Sequence, residues 1–184
     1  MKSIKLLAAS MVLVLTTSFS TVSFAAEKGE KIKSKKDLPE WYWNAEGRID
    51  PNNPDLENLP PSTVQFYVED PNQSIVKAIA KGTAQSYLNR DGLEWYGTSA
   101  TSVDDVVADF SVVGTLYKQA PNSTKLTTID MEQASKYFTK GVVIAQPEGP
   151  GGSVGYTMIA EGIHHVNLGL VTDTVVTTEK QKIQ

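Results

Sequence analysis

A chain of 184 residues without a cysteine has no disulfides, no thiol nucleophile and no thiolate metal site. Its formal net charge of −4 lacks the concentrated positive charge that nucleic-acid binding requires.

Residues 1–25 read as a secretory signal peptide. Lys2 and Lys5 give a positive start, residues 6–15 give an apolar run too short to span a bilayer comfortably, and Ser23-Phe24-Ala25 places small residues where a signal peptidase reads. Cleavage before Ala26 is expected, and the loss of Lys2 and Lys5 takes the formal charge from −4 to −6. The polar C-terminal residues 179–184 hold no anchor. The product is therefore expected to be secreted and extracellular, without stable membrane insertion. Its lack of disulfides points to bacterial export. About 160 remaining residues suit one domain better than two.

Residues 26–62 form a charged, proline-rich leader. Lysines and acids alternate through residues 27–36, which are expected to be solvated. Leu38-Pro39-Glu40-Trp41-Tyr42-Trp43 is the most aromatic patch in the chain. In extended backbone Trp41 and Trp43 share one face and Tyr42 takes the other. Such a pair of indoles serves either as a platform for sugar rings or a partner protein, or as a cap on the chain's own core. Trp41, Tyr42 and Trp43 are the candidate ligand-binding residues. Residues 50–61 are rich in oxygen ligands, but Pro54 and Pro61 occupy positions an EF-hand reserves for ligands, so a stiff connector is the better reading.

Residues 63–184 are expected to form a single α+β domain: an antiparallel sheet with two or three short helices packed on one face. Residues 63–69 read as a strand ended by Asp70-Pro71. Ile75, Val76, Ile79, Ala80, Thr83, Ala84, Tyr87 and Leu88 recur at helical spacing after a possible Ser74 cap, although Gly82 costs such a helix about 1 kcal/mol. A strand is the rival reading there. Asn89-Arg90-Asp91-Gly92 is a turn, followed by a possible strand at 93–96. Ser102 and Asp105 have capping-box spacing ahead of Val103, Val106, Val107 and Phe110, which predicts a second helix. A strand at 111–118 and a third helix at 131–139, capped by Asp130 and closed by Gly141, follow. The chain ends in a predicted three-strand meander, residues 141–146, 153–160 and 163–172, with turns at Pro147–Gly152 and at Glu161-Gly162.

Chemistry is sparsely marked. His164 and His165 are adjacent, so on a strand they point to opposite faces and cannot share a metal. Either one is an alternative catalytic base for a secreted hydrolase, but no G-x-S-x-G elbow marks a nucleophile. Asp104, Asp105 and Asp109 cluster locally, and a solvated face accounts for them as well as a cation does. Gly149-Pro150-Gly151-Gly152 lacks the lysine of a phosphate loop and joins strand to strand. No metal and no cofactor are expected. The sequence thus leads to an exported, non-catalytic binding protein acting on a protein partner or a cell-envelope polymer, with a secreted hydrolase or a secreted inhibitor or immunity protein as alternatives.

Overall fold

The computed structural model describes residues 27–69, 78–169 and 171–184. The expected signal peptide lies outside the described residues. The chain opens with β1 (Glu27–Lys28), β2 (Glu30–Lys31), a 3-10 turn (Lys35–Asp37) and one short helix, α1 (Glu40–Asn44). From there the described residues form strands alone: β3 (Thr63–Glu69), β4 (Ala78–Asp91), β5 (Glu94–Gln119), β6 (Thr127–Ala145), β7 (Glu148–Pro150), β8 (Thr157–Asn167) and β9 (Thr172–Lys182).

The α+β expectation is therefore corrected. Strand covers 63 % of the described residues and helix 5 %, so the fold is essentially all-β, without two or three helices on one face. The first predicted helix is strand β4 from Ala78 onward, its Ile75 and Val76 lying outside the described residues, and the other two fall within β5 and β6. On β4 the buried face is Ala80, Gly82, Ala84 and Ser86, and on β6 it includes Glu132 and Ala134, so the period of two is hidden where glycine and polar residues take inward positions. The C-terminal meander is corrected as well. Its first member, 141–145, pairs with β5, while the second and third merge into β8, which runs straight through Glu161-Gly162. A Cβ on Gly162 would crowd His164, Ser86 and Ser99, so this glycine permits close approach inside the sheet and makes no turn.

β5 organises the molecule. Its first half pairs with β4 on one edge and with the end of β6 on the other; its second half pairs with the start of β6 and with β8. The register breaks between Val103 and Val107, opposite a stretch of β6 where Phe138 has φ 49° and Gly141 has φ 125°. At that bulge the two-strand ribbon folds back on itself. β1 runs parallel to β6 at Val143 and Ile144, while β2 runs antiparallel to it at Gln133 and Glu132. One short segment can do both only if the two halves of β6 point in opposing directions.

Residues 60–62 close the far side. The Ser86 amide donates to the Ser62 carbonyl (2.9 Å) and the Thr178 amide to the Pro61 carbonyl (3.2 Å), so this stretch bridges β4 and β9. The result is a rolled sheet. Phe66, Val103, Phe110, Val112, Val143 and Val166 fill one part of its interior; Trp95, Leu116, Met158 and Ile183 fill another. Burying each such side chain contributes about 1.5–3 kcal/mol. The outer face of β5, β8 and β9 is covered by a strap from the leader, where Leu38 and Tyr42 meet Val113, Ile163 and Val176, and Ile49 meets Tyr117 and Ile159.

Candidate functional site

The aromatic patch forms α1, so its three rings diverge where an extended segment would alternate them. Trp41 stacks on His165 with ring centroids 5.0 Å apart and planes 5° from parallel. Tyr42 is 3 % exposed and packs into the core beneath the strap. Trp43 is 43 % exposed and meets Tyr42 edge-on at 5.1 Å. The Arg48 guanidinium lies 5.1 Å from the Trp43 ring centroid and 5.3 Å from that of Tyr42, within cation–π reach. Trp43 and Arg48 are thus the part of this patch that meets solvent directly.

The two histidines do face opposite sides of β8. His164 points inward, where its Nδ1 lies 2.8 Å from Thr101 Oγ1 and its Nε2 2.7 Å from Thr177 Oγ1. Thr177 continues to Ser86 (2.7 Å), and Ser86 to Ser99 (2.9 Å), whose hydroxyl reaches the Glu161 carbonyl at 3.3 Å. Each hydroxyl in this row has one proton and the Glu161 carbonyl can only accept, so Ser99 donates to it, Ser86 to Ser99 and Thr177 to Ser86. The His164 Nε2–H then donates to Thr177, while Nδ1 accepts from Thr101. Complete burial pushes the His164 pKa down to about 3, which keeps the ring neutral. A neutral ring sealed between two threonines has no path to an external substrate. His165 points outward, its Nδ1 2.8 Å from Thr174 Oγ1 and its face against Trp41. Burial lowers its pKa too, opposed by the charges of Asp109 and Asp173.

Glu161 is the second buried titratable group. Fully enclosed, it accepts the Ile49 amide at 2.6 Å and the Tyr117 hydroxyl at 2.9 Å. Desolvation outweighs these bonds and the field of Arg48, and raises its pKa to about 7. The carboxyl ties the strap to the sheet across 112 residues of sequence. Of the acidic cluster, Asp104 and Asp105 stand exposed in the bulge, while Asp109 accepts the Asn167 side-chain amide at 2.8 Å. Asp50 and Asp55, in the segment tested for calcium, accept amides two and three residues ahead and so serve as local turn formers.

A cleft lies elsewhere, at the end of the roll where the β4–β5 turn meets the loop between β7 and β8. It has a volume of about 490 Å³ and is lined by Arg90, Trp95, Lys118 and Tyr156, with the Gly151-Gly152 backbone as one wall. A Cβ at Gly151 would strike the Trp95 indole and one at Gly152 the Tyr156 ring, so glycines let the loop lie flat on both aromatics. Arg90 donates from Nε to the Gly92 carbonyl (2.7 Å), which holds its guanidinium 5.9 Å from the Trp95 centroid. The lining contains two cations and no carboxylate. Leu93, on the cleft wall, is 80 % exposed, and Val154, in the loop beside it, is 74 % exposed.

Sequence reasoning found the Asp91-Gly92 turn and missed the cleft itself. The turn expected at Pro147–Gly152 is corrected, because Glu148–Pro150 pairs with β5 as β7 and the loop is residues 151–156, read as strand from Ser153 on. Arg90 and Lys118 lie at opposite ends of two strands, and only the pairing of β4, β5 and β8 brings them together. A scan against protein-family models finds no match to this chain, and no curated protein matches it.

Proposed function

We propose that this chain is an exported, non-catalytic binding protein that acts outside the cytoplasm on a protein partner or a cell-envelope polymer, and that the cleft at the end of the roll makes the contact. The observation that carries this reading is the lining of the cleft: Arg90 and Lys118 without a carboxylate, beside Trp95 and Tyr156, in a chain of net charge −4. Two cations in the lining favour an anionic group on the ligand, and the aromatic floor supplies apolar contact area. Residues 1–25 support export by their charge and hydropathy pattern. The hydrolase alternative is less well supported, because neither histidine lines the cleft and His164 is enclosed.

The test is retention of the purified chain, residues 26–184, on envelope fractions and whole cells. Charge reversal at both cations, Arg90→Glu with Lys118→Glu, should weaken retention at least about tenfold, as the loss of roughly 1.4 kcal/mol requires. Far-ultraviolet circular dichroism and the urea midpoint should stay unchanged, since both side chains lie at the surface of the cleft. Unchanged retention in the double variant refutes the cleft as the contact. Retention lost instead in Trp43→Ala would move the contact to the strap.

A further inference from the structure

Residues 27–32 fill a gap between the two halves of β6. The Gly29 amide donates to the Ile144 carbonyl at 2.8 Å on one side, and the Ile32 amide to the Met131 carbonyl at 2.9 Å on the other. The fit is close: a Cβ on Gly29 would stand 3.2 Å from each of Ala145 Cα, the Gln133 carbonyl and Glu132 Oε2, atoms drawn from both walls. Two residues on, the Lys31 ammonium lies between Asp130 (3.1 Å) and Glu148 (3.7 Å). The inner wall is stiffened where the Glu132 carboxylate accepts the Gln146 amide at 2.9 Å. The gap therefore reads three things in an inserted strand: extended backbone, a glycine, and a cation two residues after it.

The strand that satisfies these demands sits at the edge of the structure. Lys33, Ser34, Lys36 and Asp37 are exposed, and the first firm anchor of the strap is Leu38. A short exposed connector between a peripheral strand and its domain is the arrangement from which strands exchange between copies. Exchange replaces each contact with an identical one, so it sacrifices no pairing energy. A vacated gap, by contrast, leaves two unpaired strand edges facing each other, which is a template for another strand.

We propose that the gap in β6 is a strand-acceptor groove, and that residues 27–32 of a second copy of this chain enter it and link copies into dimers or longer head-to-tail assemblies. A second copy is the occupant because the groove's requirements are met by Glu27-Lys28-Gly29-Glu30-Lys31-Ile32, and every copy carries that segment in the right order. Donor and acceptor are different surfaces, so the contact is heterologous; it closes into a ring or propagates according to the angle set by residues 33–37.

The lack of cysteine makes the test clean. Glu30 and Gln133 are paired residues in the register, so one copy carries Glu30→Cys and a second, differently tagged copy carries Gln133→Cys. The two are mixed under mild oxidant, and the hetero-disulfide is followed on non-reducing gels. It should exceed that of a control mixture, Glu30→Cys with Lys125→Cys, by at least about tenfold, which corresponds to about 1.4 kcal/mol of register preference. It should rise with concentration, fall when a synthetic peptide of residues 26–33 is added, and be lost when the donor also carries Gly29→Val. A single chain bearing both cysteines must form the internal disulfide in dilute solution, which checks the register. A mixture no better than the control overturns the proposal, as does a cross-link indifferent to Gly29→Val.

Discussion

Glu161 and His164 sit on opposite faces of β8, and burial disfavours the charged form of both. The carboxyl is raised from an ordinary 4.5 to about 7 and the imidazole lowered from 6.5 to about 3. Their effects on stability therefore oppose each other. Glu161 binds its proton more tightly when folded, so its contribution is complete below pH 4.5 and is lost as pH rises from 4.5 to 7. His164 binds its proton less tightly when folded, so its contribution is complete above pH 6.5 and is lost as pH falls toward 3. Between 4.5 and 6.5 the two slopes, each about 1.4 kcal/mol per pH unit, nearly cancel. Glu161→Gln removes one of them. Urea titrations of the variant minus those of the wild type should then show a difference that climbs by about that amount per unit across this interval. His165, also lowered by burial, acts in the same sense in both proteins and drops out of the difference. A flat difference profile would mean that Glu161 titrates near its ordinary value.

β4 shows at the scale of an element how a pattern misleads. The spacing of Ile79, Ala80, Thr83, Ala84 and Tyr87 suits a helix, and in a helix Gly82→Ala would stabilise by about 1 kcal/mol. In the strand, Gly82 pairs with Phe66 on β3 and Val103 on β5, and an added Cβ would run into the Phe66 ring and the Ser102 carbonyl oxygen. The ring can tilt, but the carbonyl belongs to the backbone of β5 and cannot. Gly82→Ala should therefore destabilise by about 1–3 kcal/mol, opposite in sign to the helical expectation, as thermal or urea unfolding will register. What the sequence carried locally was legible: β3 spans Thr63–Glu69 as its β-branched run required, and the Asp91-Gly92 turn stands where it was read. What depended on distant partners was not. Glu161-Gly162 spells a turn in isolation, and it becomes mid-strand because Ile49 and Tyr117 satisfy the carboxyl while Ser86 and Ser99 crowd the glycine. The aromatic patch was visible as a cluster of large rings. That Tyr42 is buried and Trp41 covered by His165 follows from α1, whose start is marked in the sequence only by Pro39 and Glu40.

Across the whole molecule, the interactions that close the roll join residues far apart in sequence. β5 pairs with β8 from Gln119↔Thr157 to Asp109↔Asn167, the strap meets the sheet through Ile49 and Glu161, and β1 and β2 pair with β6 more than a hundred residues later. Loop closure must precede such contacts, so folding in milliseconds to seconds is expected, with β5 and its hairpin partners assembled before the seams. The same order governs opening. Residues 112–116 of β5 are flanked by β6 and β8 and buried on both faces, so their amides can exchange with solvent only when the molecule unfolds. The seam segment is held by a few backbone bonds and the two ion pairs of Lys31, and can detach while the rest stays folded. Hydrogen exchange followed by mass spectrometry should therefore give at least two classes. Peptides from 107–118 and 157–167 should exchange at the rate of global unfolding, and the amides of Gly29 and Ile32 should exchange faster by orders of magnitude, with a smaller dependence on denaturant. Should Gly29 and Ile32 exchange as slowly as Val112 and Val113, the seam would open only with global unfolding. Strand exchange between folded copies would then be too slow to link them.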